Sequence, residues 1–65
     1  MMQTLDYLVI YHNNNSIYNN SSKEIPMTII LRKEADAKEK LSAIKYEIKK
    51  QDGIEDLKII GIFKL

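Results

Sequence analysis

The run TLDYLVIYH, residues 4 to 12, is apolar on both of its faces. Successive side chains of an extended chain alternate sides, so Leu5, Tyr7, Val9 and Tyr11 share one face and Asp6, Leu8, Ile10 and His12 the other. Two further runs behave in the same way. MTIILR, residues 27 to 32, sets Ile29 and Leu31 against Ile30, and LKIIGIF, residues 57 to 63, sets Leu57, Ile59 and Phe63 against Ile60 and Ile62. Their β-branched and aromatic content reads as strand. Pro26 stands at the start of the second run, where a strand tolerates a residue with no N–H to donate. A strand with one solvated face alternates apolar and polar residues, whereas these three ask for cover on both sides.

Between the second and third runs the apolar period changes from two to 3.6. Ala37, Leu41, Ile44 and Ile48 fall at spacings that line one face of a helix. Asp36, with Glu39 three residues on, has the pattern of a capping box, in which the aspartate accepts first-turn N–H groups and the glutamate reaches back. Lys49 and Lys50 suit the last turn and Gly53 the left-handed position beyond it. The helix is therefore expected at about 36–51, and the strands at about 4–12, 27–32 and 57–63. Gly61 in the third strand marks a bulge or the close approach of another backbone. The expected fold class is α+β, a small β-β-α-β domain over residues 1–65 in which a three-stranded mixed sheet carries one helix packed on one face.

One helix covers one face of three strands. Leu8, Ile10, Ile30, Ile60 and Ile62 are aliphatic with polar ends at Asp6, Arg32 and Lys64, which assigns that face to the helix. Tyr7, Tyr11, Ile59 and Phe63 then look outward as an amphipathic aromatic surface of the kind that anchors protein contacts. The first and third strands are the expected sheet edges. Residues 13–23, NNNSIYNNSSK, read as a loop or hairpin tip, because asparagine and serine side chains suit turns and positive φ. Ile17 and Tyr18 in its middle extend the candidate contact surface as an arm.

At 65 residues with no cysteine, neither disulfides nor thiolate metal sites can reinforce the small core, so a partner or a second copy is expected to complete it. No apolar stretch approaches the 18 residues or so of a membrane span, and the first apolar run, which contains Asp6, has no basic leader, so the cytoplasm is the expected location. Eleven Ile, nine Lys, five Asn and four Tyr are all written by AT-rich codons, as in a low-GC bacterium or its phage.

The formal charge of +1 points neither to a dedicated nucleic-acid binder nor to an acidic mimic of DNA. His12 is the one histidine and has no second ligand or nucleophile beside it, while Glu34, Asp36 and Glu39 gather where a helix start favours carboxylates. No glycine-rich phosphate loop occurs. Hence no catalytic residue, metal site or cofactor is expected, and the chain reads as a non-enzymatic module that binds a protein or its own copy. The alternative is an RNA- or DNA-binding surface. Lys38, Lys45 and Lys49 align along one flank of the helix, with Tyr46 and Lys50 nearby to stack a base and meet phosphate. Glu34, Asp36, Glu39, Glu47 and Asp52 offset the six lysines from Lys33 to Lys50, so a solvated helix face explains the same residues.

Overall fold

The computed structural model describes residues 1–15 and 22–65 of the chain. Along the sequence run β1 (Met2–Asn13), β2 (Lys23–Arg32), α1 (Ala37–Asp52) and β3 (Leu57–Lys64). The architecture is the expected α+β domain, a β-β-α-β chain with one sheet and one helix, and it corrects the strand pairing. The sheet order is β2-β1-β3, and β1 runs antiparallel to both neighbours. No parallel pair joins the described strands, so the sheet is antiparallel rather than mixed, and the edges are β2 and β3 rather than β1 and β3. β2 and β3 share a direction but lie on opposite sides of β1, and α1 connects them.

β2 begins four residues before the expected start. Ile25, Met27 and Ile29 are buried at every second position, and Ile25 lies opposite Val9, the most buried residue of β1. Pro26 does not stop the strand. Lys33 N–H donates to the carbonyl of Met1 at 3.0 Å in continuation of the β1–β2 register, so odd-numbered residues of β2 turn their backbone groups to β1 and even-numbered ones turn theirs to the open edge. The missing N–H of Pro26 is thus one that β1 never required.

The helix caps are local and fall where the sequence puts them. Asp36 is extended, at φ −85° and ψ −179°, and its carboxylate accepts the N–H of Glu39 at 2.9 Å. Glu39 does not reach back as a capping box would have it; both of its oxygens instead accept from Arg32 Nη2, at 2.8 and 2.9 Å. Gly53 takes the left-handed conformation at φ 71° and returns its N–H to Lys49 O.

The core lies between α1 and the face of the sheet that carries Leu5, Tyr7, Val9 and Tyr11. Val9, Ile44 and Ile48 have no exposed surface, and Tyr11, Ile25, Met27, Ile29 and Leu57 close around them, with Leu5, Tyr7, Leu31 and Ile59 half-buried at the margin. This is the reverse of the expected face. β2 decides the matter: read from Lys23, its odd positions are Ile25, Met27, Ile29 and Leu31, whereas its even positions include Glu24, Pro26, Thr28 and Arg32. Four aliphatic side chains outweigh one, because burial free energy scales with apolar area.

α1 approaches β2 more closely than β3, so Leu41, expected in the apolar stripe, remains 39% exposed and Ala37 is exposed as well. Gly53 offers a test of the helix stop. An L side chain in the left-handed region costs about 1–2 kcal/mol, so Gly53→Ala is expected to lower the urea unfolding midpoint by a corresponding amount with the slope unchanged.

Candidate functional site: the uncovered face of the sheet

A bulge in β3 builds this face. Val9 pairs with Ile62 and Ile10 with Gly61, but Tyr11 pairs with Ile59, which leaves Ile60 as an extra residue. Directly opposed residues of an antiparallel pair share a face, and one inserted residue inverts the alternation beyond it. Ile59 therefore lies with Tyr11 on the helix side, whereas Phe63 lies opposite Leu8 on the other side. Strict alternation would have kept Ile59 and Phe63 together. Of the outward residues expected from the sequence, Phe63 is outward, while Tyr7, Tyr11 and Ile59 belong to the core. Ile17 and Tyr18 lie outside the described residues.

Across the side away from α1, Pro26, Leu8 and Phe63 form one row through all three strands, and Glu24, Ile10 and Gly61 form the next. The Phe63 ring leans over Gly61, where a Cβ would stand 3.0 Å from its Cε2. Phe63 is 54% exposed and the bulged Ile60 57%. On the other side of the row, Thr28 Oγ1 donates to Asp6 Oδ1 at 2.6 Å, and beyond that polar pair Ile30, opposite Thr4, is 62% exposed. Leu65, whose N–H donates to Asp6 O, adds one more exposed aliphatic side chain. Leu8 and Ile10, between these exposed side chains, are half-buried, and Asp6, Thr28 and Glu24 are polar positions on the same side of the sheet.

The residues expected to meet nucleic acid are dispersed. Tyr46 is 67% exposed and borders, with Lys38, Glu39 and Glu47, a groove between α1 and β2. Lys45 lies across the helix, in a second groove beside Leu41, Lys58 and Ile59. Lys49 Nζ is held at 2.7 Å by Glu55, which raises the pKa of the lysine and lowers that of the glutamate. Lys50 is exposed in the last turn. Lys38 thus shares a groove with the tyrosine, whereas Lys45 and Lys49 do not.

At the opposite end of the core, Tyr11, Asp52 and Lys23 tie β1, α1 and β2 together, a cluster that sequence spacing did not reveal. The Tyr11 hydroxyl donates to Asp52 Oδ2 at 2.5 Å, and Lys23 Nζ donates to the same oxygen at 3.0 Å. Burial, followed by the adjacent carboxylate, pushes the Tyr11 phenol up to about 12. The two donors hold the Asp52 carboxyl below its ordinary range. Near neutral pH these shifts fix a protonated phenol and an ionised carboxylate, which suits a latch rather than a proton-transfer centre. Among the described residues, no group of three or more His, Cys, Asp or Glu side chains is arranged to hold a metal ion, and no helix is long and apolar enough to cross a membrane.

Comparison with protein-family models, with curated proteins and with solved structures finds no match.

The latch predicts opposite limbs of a stability profile. The contribution of Asp52 is complete above the ordinary carboxylate pKa near ~4 and is lost as pH falls through its lower folded value. That of Tyr11 is complete below pH ~10 and is lost as pH rises through the folded value. Urea midpoints measured across pH should show Asp52→Asn flattening the acid limb and Tyr11→Phe the alkaline limb, with Tyr11→Phe costing about 1 kcal/mol near neutrality.

Proposed function

We propose that this chain is a small non-enzymatic interaction module, of the kind a phage or mobile element encodes, which binds a protein partner in the cytoplasm through the uncovered face of its sheet. The observation that supports this reading is the row Pro26, Leu8 and Phe63, continued by Ile10 and Ile60, on the side away from α1, where Pro26, Phe63 and Ile60 are exposed and Leu8 and Ile10 half-buried. An aromatic ring and branched aliphatic side chains make rigid, dehydratable contacts, with little rotamer entropy to lose on binding. The mechanism is steric: the face occupies a complementary apolar surface on its target and thereby blocks or modulates it. Only Phe63 of the four sheet residues first assigned to this role lies there, and Leu8, Ile10 and Ile60 take the places of Tyr7, Tyr11 and Ile59.

The nucleic-acid reading draws on the exposed Tyr46 with Lys38 in the same groove and Lys50 one turn further on, while Lys49 is already paired and Lys45 faces another groove. Two sets of variants separate the readings in copurification of the tagged chain from its native host. Phe63→Ser removes the ring. Gly61→Ala adds a Cβ where Phe63 Cε2 and Cζ would stand at 3.0 and 3.3 Å, so the exposed ring turns away while the strands stay paired. Both are expected to reduce partner recovery by about tenfold or more, equivalent to about 1.4 kcal/mol or more of binding free energy, with native circular dichroism. Lys38→Ala with Lys45→Ala should leave recovery unchanged. Loss with the lysine pair and retention with Phe63→Ser, together with salt-sensitive oligonucleotide affinity, would reject the protein-contact reading.

A further inference from the structure

Building on the reading of this chain as an interaction module, we infer that two copies pair edge to edge along β2, antiparallel about a two-fold axis at Thr28, into one six-stranded sheet. Backbone geometry selects the edge. The even-numbered residues of β2, Thr28 and Ile30 among them, direct N–H and C=O groups away from β1, with no strand beside them among the described residues. On the other edge, Leu65 N–H donates to Asp6 O in the β1–β3 register, so Ile62 and Lys64 face outward there. That edge is interrupted by the bulge at Ile60 and carries Lys58 and Lys64, features that discourage pairing. β2 runs without a bulge and without a charge from Ile25 to Leu31.

Symmetry and charge then select the register. A two-fold axis perpendicular to the sheet keeps both helices on one side, so paired positions must share a face and hence be both odd or both even. Centring on Thr28 sets Met27 opposite Ile29, Ile25 opposite Leu31, Pro26 opposite Ile30 and Glu24 opposite Arg32, with each pair made twice. Glu24 and Arg32 are complementary charges, and Arg32, whose Nη2 already holds Glu39 of its own chain, is shared between the two carboxylates. Centring on Ile29 would place Glu24 against Glu34 and Ile25 against Lys33, and centring on Met27 would place Glu24 against Ile30 and Lys23 against Leu31. In the Thr28 register the carbonyl of Pro26 accepts from Ile30 of the second copy, and only the reverse bond is missing.

The surroundings of the edge fit the same occupant. A groove bounded by Ile29, Leu31, Ser42, Ala43 and Tyr46 runs along β2, so α1 leaves room beside that edge for an added strand. On the outer face the pairing accounts for Ile30, which the Asp6–Thr28 pair separates from the apolar row of its own chain. Opposite Pro26 of the second copy, it continues that copy's row through Pro26, Leu8 and Phe63. The two patches become one surface, and the partner-binding face is the face of the dimer.

The chain has no cysteine, which makes an introduced thiol unique. Hydrogen-bonded antiparallel positions have Cα atoms about 5.5 Å apart, within reach of a disulfide. Thr28→Cys is expected to form a covalent dimer on mild oxidation, whereas Thr4→Cys on the central strand does not. Sedimentation of the unmodified chain over a concentration series should show a dimer. Ile30→Lys, at a position whose N–H points away from β1, should weaken that dimer by about tenfold or more, equivalent to about 1.4 kcal/mol, with circular dichroism unchanged. A monomer throughout the series overturns the inference, as does a dimer that cross-links through Phe63→Cys and not through Thr28→Cys. Either outcome leaves the partner-binding reading standing, because that reading fails only when Phe63→Ser retains the partner.

Discussion

The seating of one helix on the Val9 and Tyr11 face is the contact on which the rest of the structure depends. Ile44 and Ile48 meet Val9 with no exposed surface on any of the three, and the end of the same helix is fastened by Asp52 to Tyr11 and Lys23. In so small a domain these few side chains make up much of the core, since little surface is buried on folding at this size. Placing the helix there commits Leu8, Ile10 and Phe63 to the other side. The exposed face is therefore a consequence of where the core formed.

Tyr11 shows why the choice of face goes against a simple reading of amphipathic residues. A tyrosine expected to keep its hydroxyl in water is instead 1% exposed. Burial without a partner would cost the full desolvation of the hydroxyl. Asp52 removes that cost, and the exposed Lys23 in turn compensates the carboxylate, so the two groups that would be unfavourable alone in a partly buried site are satisfied together. The same cluster fixes the start of β2, because Lys23 is its first residue.

What was legible in the sequence is what depends on neighbours within one turn or one strand. The helix ends follow from Asp36 and Gly53, whose capping bonds span three or four residues. The element order follows from the change of apolar period. The buried face was legible in the odd positions of β2 once Ile25 is counted with Met27, Ile29 and Leu31, whereas the contact of Tyr11 with Asp52, 41 positions away, is announced by nothing local. The start of β2 was lost at Pro26, since the direction of its missing N–H depends on which side β1 occupies. The place of Gly61 in the sequence suggested a bulge or the close approach of another backbone; the structure has a bulge beside it, with Ile60 as the extra residue, and what lies against the glycine is a side chain, the Phe63 ring, rather than a backbone. Asn14, in the asparagine-rich stretch, donates its backbone N–H to Asp56 O and its side chain to Asp56 Oδ1, at 3.0 and 2.8 Å. Asn14 thus holds the entry to β3.

A bias toward AT-rich codons explains much of the composition but not the outer face. Isoleucine and phenylalanine share that codon preference with lysine and asparagine, so a genome of this kind could as readily write polar residues at Ile30, Ile60 and Phe63. Within one chain such residues would cost little, because these side chains are more than half exposed and contribute correspondingly little buried area. Polar residues would also lower the hazard of an open sheet, by the same means that Lys58 and Lys64 serve on the β3 edge. Lysine is thus used where β3 meets solvent and is withheld from the row through Pro26, Leu8 and Phe63 and from the β2 edge between Ile25 and Leu31. The lysines guard one edge, while the other edge between Ile25 and Leu31 and the row through Pro26, Leu8 and Phe63 carry no charge, with Asp6 and Glu24 flanking that row. This pattern is the one expected when those two surfaces are completed by another chain.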